Sequence, residues 1–406
     1  MVRLRGGQVV GPDGVLEHAT VVLEGGRIAA IADEAAPAAG DVDCRGCWIV
    51  PGFIDTHIHD GHGVDVLDGG DAVARVAAHL PRYGVTGFLP TTVACPPDAL
   101  RAFLTAVEAG RAGRAPDAAR VLGAHLESNF INPAFKGAQP ERCLRLPPSG
   151  GPAERDGAFS GAAVLAAIAD HRDAVRIVTL APELPGGLAL VRALVRAGHR
   201  VSLGHSAATY DEGLAAIAAG ARHATHLFNR MPPLSHRAPG LAGAVLSAPE
   251  VVCEVVCDGY HVHPAVVRMA ARMKGRAGLV AITDGTAAAG LPVGATARLG
   301  EHTITAREQC AELADGTLAG SITTMDAVFR FLIGPVGLSL VEASHLTATT
   351  PADVLGRPDL GRLAAGAAAD VVVLDAGFRV RQTWVDGVAA WNSAAAPAVS
   401  PTGGPQ

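Results

Sequence analysis

The chain has 406 residues, of which 49% are hydrophobic and 18% are charged. This composition is typical of a globular enzyme with a large buried core and excludes a disordered chain. The formal net charge is −6 and no run of Lys or Arg is present, so the sequence argues against a nucleic-acid-binding or anionic-membrane surface.

The first residues lack the apolar segment of a signal peptide, and no apolar stretch reaches the roughly 20 residues that a membrane-spanning helix requires. The seven cysteines are odd in number and scattered, unlike a secreted disulfide framework. We therefore expect a cytoplasmic protein that does not bind a membrane.

Short β-like runs separated by turns occupy both ends of the chain. Residues 1–50 and 369–392 alternate apolar stretches with Gly- and Asp-containing turns, as antiparallel strands do. We predict that the two ends form one small β-sandwich domain. Residues 393–406 are rich in Ser, Ala, Pro and Gly and have little apolar surface to bury, so we expect a mobile tail.

Between these ends, residues 51–368 alternate short apolar runs with Ala- and Leu-rich helical stretches, the pattern of repeated βα units. Eight such units form a (β/α)8, or TIM, barrel. The connections at 128–160 and 286–320 are too long for simple βα loops, and the second is predicted to contain a hairpin. The eight predicted strands are Gly52–His59, Thr86–Thr91, Val121–Glu127, Arg176–Ala181, Val201–His205, His223–Leu227, Val252–Cys257 and Val280–Asp284.

Residues able to bind metal end five of these eight strands. In a barrel of this type the reacting groups come from the C-terminal ends of the strands, so these side chains should meet. His57 and His59 are two residues apart and therefore face the same side of one strand. Imidazole and carboxylate ligands favour zinc, with iron or manganese as alternatives. The predicted metal ligands are His57, His59, Glu127, His205, His226 and Asp284.

Motifs along nearly the whole chain resemble those of the amidohydrolase superfamily and, within it, the N-acetylglucosamine-6-phosphate deacetylase family. The histidine blocks at 201–212 and 223–244 carry the resemblance to the deacetylases. The matching motifs are PGFIDTHIH from 51, GAHLES from 123, VTLAPE from 178, VSLGHSAATYDE from 201, HATHLFNRMPPLSHRAPGLAGA from 223, CDGYHVHP from 257, ITDGTAAAG from 282, GTLAGS from 316 and ADVVVLD from 369.

The resemblance implies a role for each predicted ligand. Glu127, His205 and His226 would bind the ion that is always present. His57, His59 and Asp284, with Glu127 bridging, would bind a second ion, so one or two divalent ions are expected. Asp284 would also be the catalytic acid/base, because an amine leaves readily only when it is protonated.

The resemblance also implies an amino-sugar phosphate substrate. Arg237 and His261 would bind the phosphate, with Asn229 close by, since a guanidinium presents paired donors to a phosphate. The loop after Glu127 departs from the family pattern. Family members read Glu-Gly-Pro-Phe and then Lys-Gly-Ala-His, whereas this chain has Ser128 and Asn129 after Glu127, and Gln139 in place of the histidine. We predict that these three residues contact the substrate.

The predicted activity is metal-dependent removal of the N-acetyl group of N-acetylglucosamine 6-phosphate. The alternatives are deacylation of a related N-acyl amino sugar or other small N-acyl compound, and a deaminase or cyclic amidase of the same superfamily. The cyclic amidases commonly place a carboxylated Lys after a middle strand, and no Lys ends a predicted strand here. A barrel that only binds a ligand is disfavoured by the intact ligand set, and the resemblance predicts a homodimer.

Overall fold

A computed structural model describes residues 1–33, 36–148 and 158–394 of the chain. Most of the predicted tail, residues 395–406, lies outside the described residues. None of the described helices combines the length and the apolar content that crossing a bilayer requires.

The predicted (β/α)8 barrel is confirmed. Eight successive strands pair in parallel, each with the next along the chain. The short strand Arg120–Val121 precedes Ala124–Glu127 in the chain and also pairs in parallel with the second barrel strand. The eight barrel strands are Phe53–Ile58, Val85–Thr92, Ala124–Glu127, Val175–Leu180, Arg200–Leu203, His223–Ala224, Val252–Val256 and Leu279–Ile282.

The barrel closes where the last strand meets the first. The backbone N–H of Asp284 donates to the carbonyl of His57, and the N–H of His59 donates to the carbonyl of Gly285, both at 2.9 Å. Closure therefore brings the end of the last strand, which carries Asp284, against the His57 and His59 pair.

Helices cover the outside of the barrel because each has an apolar stripe. In the helix Gly187–Arg196, for example, Leu190, Val191 and Leu194 are buried on one face. Together with strand residues they form the main hydrophobic core between the two layers. The described α-helices are Ala72–His79, Pro97–Ala112, Gly161–Asp170, Gly187–Arg196, Tyr210–Ala218, Gly240–Ser247, Pro264–Lys274, Met325–Ile333, Leu340–Ser344 and Thr350–Val354.

The second long connection forms more than one hairpin. Its strands Thr296–Leu299, His302–Ala306, Cys310–Glu312 and Leu318–Ser321 make a four-stranded antiparallel sheet. Leu299, Leu318 and Gly320 from this sheet line the cavity described below. In the first long connection, two short 3-10 turns, Pro133–Phe135 and Glu141–Cys143, are described, and residues 149–157 lie outside the described part.

The additional β domain built from both chain ends is also confirmed. Its described strands share one eight-stranded sheet, in which Trp48–Pro51 pairs antiparallel with Val371–Leu374. Leu4, Val21 and Trp384 belong to its own apolar cluster. The strands are Val2–Val10, Val15–Glu24, Arg27–Asp33, Val42–Asp43, Trp48–Pro51, Val371–Leu374, Val380–Val385 and Val388–Asn392.

An ion-pair cluster fastens this β domain to the barrel. Arg120, which begins a barrel strand, donates from Nη2 to Asp370 Oδ1 at 2.7 Å and from Nε to Asp370 Oδ2 at 3.1 Å. Arg120 also pairs with Asp386, which in turn pairs with Arg114 at 2.6 Å. The Asp370 side chain is only 3% exposed, so its charge depends on this guanidinium.

We expect the Arg120→Gln variant to lose about 3 kcal/mol of unfolding free energy, because it leaves Asp370 buried without its counter-charge. Urea unfolding followed by circular dichroism measures the change. Arg196→Gln, at an exposed helix position, is the matched control. A difference from that control of less than about 0.5 kcal/mol would show that the cluster contributes little to stability.

Candidate metal centre and active site

The predicted ligands converge at the C-terminal mouth of the barrel in two groups. The Glu127 group consists of Glu127, His205 and His226, and the His57 group consists of His57, His59 and Asp284. Within each group the possible ligand atoms lie within 4.8 Å of one another, and all six residues are buried. These are the two sets that the resemblance implied for two ions, now brought together in space.

Glu127 lies between the two groups. Its Oε1 is 3.0 Å from Nε2 of His205 and 2.9 Å from Nε2 of His226. The same carboxylate is 3.7 Å from Nε2 of both His57 and His59. One carboxylate thus faces both groups, which is the placement that a bridging ligand requires.

The other ring nitrogens fix how these imidazoles are oriented. Nδ1 of His59 donates to the carbonyl of Thr91 at 3.0 Å, and Nδ1 of His205 donates to the carbonyl of Phe135 at 2.8 Å. A carbonyl can only accept, so Nδ1 of each ring carries a proton and Nε2 is the nitrogen available to bind an ion.

The arrangement of these free nitrogens fits a cation. Nε2 of His205 lies 3.0 Å from Nε2 of His226, and Nε2 of His57 lies 3.2 Å from Nε2 of His59. Lone pairs that face one another at this distance repel unless something positive lies between them. Four imidazoles and two carboxylates satisfy the donor chemistry of a Zn²⁺, Fe²⁺ or Mn²⁺ site.

The charges of the buried carboxylates reinforce this conclusion. Burial alone would lower the pKa of His57, but the charges of Asp284 and Glu127 outweigh it and raise the pKa to about 10. Burial would raise the pKa of Glu127, yet the neighbouring histidines, led by His205, hold it well below its usual range. The centre is therefore an anionic site that attracts positive charge.

The backbone is strained at three ligand positions. His205, His226 and Asp284 have φ values of 48°, 31° and 49°, in the left-handed region that residues other than glycine rarely adopt. Such conformations cost about 1–3 kcal/mol each and cluster at functional sites, where they aim side chains. Here they turn the chain at the ends of three strands so that the ligands point into the mouth.

A cavity of about 390 Å³ opens directly over the ligands. Members of both metal groups, including His59, Glu127 and Asp284, line it, and so do Gln139 and Asn229. This volume suits a small molecule of sugar size rather than a polymer.

Basic side chains also line the cavity. His261 and Arg230 line it, and Nδ1 of His261 pairs with Asp258 Oδ2 at 2.6 Å. Burial would lower the pKa of His261, but the hydrogen bond and charge of Asp258 raise it above its usual value. An imidazole with a raised pKa, in the same wall as a guanidinium, favours an anionic group.

Three of the six predicted substrate residues line this cavity, and three do not. Gln139, Asn229 and His261 belong to its wall. Arg237 is exposed in the loop before the helix Gly240–Ser247 and is not among the described residues of the wall. Arg230, which the sequence analysis did not select, occupies the wall instead.

Ser128 and Asn129 lie behind the wall, where they hold the loop in place. Ser128 Oγ donates to the carbonyl of Thr179 at 2.6 Å. Asn129 Nδ2 donates to the carbonyls of Cys95 and Cys143 at 2.9 and 2.7 Å. Both side chains are buried and use their donors on the backbone, so direct contact with a substrate, as predicted, has no support from their geometry.

Gln139 connects the cavity to the metal centre. Its Oε1 accepts from the N–H of Ala94 at 2.7 Å, and its Nε2 donates to Glu127 Oε2. The first bond fixes the orientation of the amide, so the NH2 group faces the bridging carboxylate. A neutral amide can hold this position without competing for a proton.

We expect Gln139→Met, which removes both hydrogen bonds at similar volume, to lower kcat/KM by about 10- to 100-fold. The range corresponds to losing one hydrogen bond to a charged group. Acetate-release kinetics, with metal content measured in parallel, test the expectation. Unchanged kcat/KM at unchanged metal content would exclude Gln139 from substrate recognition.

Sequence reasoning missed Glu254, which lies beneath the His57 group. Its Oε2 accepts from Nδ1 of His57 at 3.0 Å, and the residue is fully buried. The available signal was a single ionisable residue inside the apolar strand Val252–Val256. Such a residue is expensive to bury unless it is paired, so it marks a polar partner across the barrel.

The chain is similar to known deacetylases over almost its whole length. The sequence profile of the amidohydrolase family matches residues 48–390. The N-acetylgalactosamine-6-phosphate deacetylase of Escherichia coli O157:H7 is 37% identical over 95% of this chain and 98% of that protein. The N-acetylglucosamine-6-phosphate deacetylase of Homo sapiens is 39% identical over 87% of this chain and 86% of that protein.

Solved structures give the same result. The N-acetyl-D-glucosamine-6-phosphate deacetylase of Mycobacterium smegmatis, in complex with N-acetyl-D-glucosamine-6-phosphate, superposes with a TM-score of 0.87 at 33% identity and covers 96% of this chain and 99% of its own. The N-acetylglucosamine-6-phosphate deacetylase of Thermotoga maritima superposes with a TM-score of 0.83 at 30% identity. The match covers 96% of this chain and 100% of that chain. This chain therefore belongs to the amidohydrolase family and, within it, to the N-acetylglucosamine-6-phosphate deacetylase family.

Proposed function

We propose that this chain hydrolyses N-acetylglucosamine 6-phosphate to glucosamine 6-phosphate and acetate. The observation that carries the proposal is one cavity with two kinds of lining group. Five of the six candidate metal ligands line it, and so do the basic residues His261 and Arg230. A sugar that carries an acetamide at one position and a phosphate at another matches both kinds of group.

Each of these two sets of residues would have its own task. His261 and Arg230, with Asn229 beside them, would bind the phosphate and so fix which end of the sugar faces the metal groups. Asp284 would accept the proton of the attacking water and then return it to the leaving nitrogen. Gln139, through Glu127, couples the wall of the cavity to the reacting end.

The metal groups supply the remaining chemistry. The ion is proposed to be zinc, with iron or manganese as alternatives, held by the Glu127 group and, when a second ion is present, by the His57 group. When bound, a divalent ion lowers the pKa of a water molecule toward neutrality and polarises the amide carbonyl.

A second candidate substrate is N-acetylgalactosamine 6-phosphate. The Escherichia coli relative named for that epimer aligns with almost the entire chain. The two sugars differ only in the configuration at one hydroxyl, and the phosphate and acetamide ends are the same. The epimers would therefore be distinguished by a few polar contacts in the cavity, worth about 1–3 kcal/mol.

Acetate release from both epimers tests the proposal. With zinc-loaded protein we expect kcat/KM for the glucosamine derivative to exceed that for the galactosamine epimer. The reverse order would transfer the assignment to the epimer. Release from neither sugar, together with hydrolysis of another N-acyl compound, would refute the sugar phosphate as substrate and leave the family assignment intact.

We also propose a homodimer in which Arg237 reaches the cavity of the partner. Arg237 and its neighbours Ser235 and His236 are exposed, which suits a loop that acts on another subunit. Mixing inactive Asp284→Asn protein with Arg237→Ala protein would test this. Activity recovered in mixed dimers supports action between subunits, and no recovery in verified mixed dimers contradicts it.

A further inference from the structure

A carboxylate that contacts a candidate metal ligand is buried in the barrel. Glu254, in the strand Val252–Val256, has no exposed surface. Its Oε2 lies 3.0 Å from Nδ1 of His57, and its Oε1 lies 3.1 Å from Thr56 Oγ1 and 3.1 Å from Nε2 of His223. An ionised carboxylate in such a place is costly unless its oxygens are paired, and these contacts pair both of them.

The contacts show which atom carries the proton. Oε1 of Glu254 accepts from Thr56 Oγ1 at 3.1 Å, and Oε2 lies 3.0 Å from Nδ1 of His57. The carboxylate is therefore an acceptor only, and Nδ1 of His57 must be the donor. Nε2 of His57 is then the nitrogen that would bind an ion, and it faces His59 and Asp284, which lie 3.2 and 3.3 Å away.

His57 differs in this respect from two other ligand histidines. His59 and His205 donate to the backbone carbonyls of Thr91 and Phe135. Only His57, among these three, donates to a full negative charge. A carboxylate partner raises the basicity of the opposite nitrogen more than a carbonyl does, and it fixes the ring plane.

We infer that Glu254 is a positioning residue that sets how tightly the His57 group holds its ion. The inference rests on the proposed metal-dependent function and goes beyond it by assigning the occupancy of one group to a buried residue that touches neither substrate nor ion. Within the described part of the chain, no hydrogen bond or ion pair joins the Glu254 side chain to the Glu127 group, so we expect the affinity of that group to change little.

A purely architectural role would have a different signature. Glu254 also links the strands that carry Thr56 and His223, so its removal lowers stability in either case. If Glu254 only held these strands together, its loss would weaken both ions alike. If Glu254 positions His57, its loss weakens the affinity for one ion and leaves the affinity for the other unchanged.

The experiment compares zinc binding by wild-type protein and by Glu254→Gln. Gln removes the negative charge and keeps the size of the side chain. Equilibrium dialysis over a range of buffered Zn²⁺ concentrations, followed by elemental analysis, counts the ions per chain. We expect two ions in the wild type and a 10- to 100-fold weaker affinity for one of them in Glu254→Gln, the range typical of losing such a partner.

Two further variants identify the ion that is weakened. His59→Asn removes a ligand of the His57 group. Glu254→Gln should weaken binding of the same zinc ion, but to a smaller extent. Thr56→Val is the matched control, because it deletes a different hydrogen bond to Oε1 and leaves the contact between Oε2 and His57 intact. We expect this control to bind both ions as the wild type does.

Glu254→Asp provides a second reading in case Glu254→Gln does not fold. Asp keeps the negative charge, but its shorter side chain places the carboxylate farther from His57. We expect the same selective loss of affinity for one ion. Equal weakening of both ions, failure of both variants to fold, or a wild type whose single ion is unaffected by His59→Asn would overturn the inference. Acetate release by wild-type protein is measured separately, so failure of the proposed function is distinguished from failure of this inference.

Discussion

Replacing Asp284 with Asn is expected to lower kcat for acetate release by about 10³-fold, the range for removing a general acid/base. Asp284 Oδ1 lies 3.3 Å from Nε2 of both His57 and His59, and the side chain lines the cavity. An amide cannot accept the proton of an attacking water or deliver it to the leaving nitrogen. Stopped-time acetate assays at saturating substrate measure the loss.

Binding of the substrate should survive this change. The basic residues His261 and Arg230 are unchanged in this variant, so the affinity for glucosamine 6-phosphate should stay within a few fold of the wild type. Asp315→Asn, the same change at an exposed turn, is the matched control and should retain full activity. Turnover by Asp284→Asn equal to that of the control would refute the assigned role.

Glu127→Gln is expected to remove both ions and the activity with them. The carboxylate is 2.9–3.0 Å from His226 and His205 and 3.7 Å from His57 and His59. Gln replaces the negative carboxylate with a neutral amide. The amide presents an NH2 donor to imidazole nitrogens that are arranged to bind a cation. Removing a residue that hydrogen-bonds to a metal ligand typically weakens metal affinity 10- to 100-fold. Removing a ligand shared by both ions should therefore weaken metal affinity by more than about 10²-fold.

Elemental analysis after dialysis measures the metal content of this variant. Glu250→Gln, at an exposed position, controls for the chemical change itself. If Glu127→Gln retained one ion at wild-type affinity, Glu127 would not be shared between the two groups. That outcome would also separate the groups into independent sites.

The barrel could be predicted because its strands are encoded locally. Each predicted strand overlaps an observed one, since apolar runs of four to eight residues alternate with helical patterns. The ends were less accurate. The predicted strand His223–Leu227 is observed as His223–Ala224, because the left-handed backbone at His226 turns the chain away from the ladder.

The convergence of the candidate metal ligands was predictable for the same reason, since strand ends share one mouth in a barrel. The contacts that support these ligands could not be predicted. Ser128 and Asn129 follow Glu127 in the sequence, yet their donors are used on backbone carbonyls behind the cavity. Glu254 is remote from His57 in sequence, and only the closed barrel brings the two together. Adjacency in the chain is a poor guide to which side of a wall a side chain faces.

Reconstitution of the metal-free protein tests the central claim most directly. Zinc is added stepwise to protein from which metal has been removed by a chelator, and acetate release from N-acetylglucosamine 6-phosphate is measured at each step. We expect no release without metal and a rise with occupancy that reaches a plateau at one or two ions per chain. Release by the metal-free protein, or no release by the fully loaded protein, would contradict the claim that these six residues form a metal centre for deacetylation.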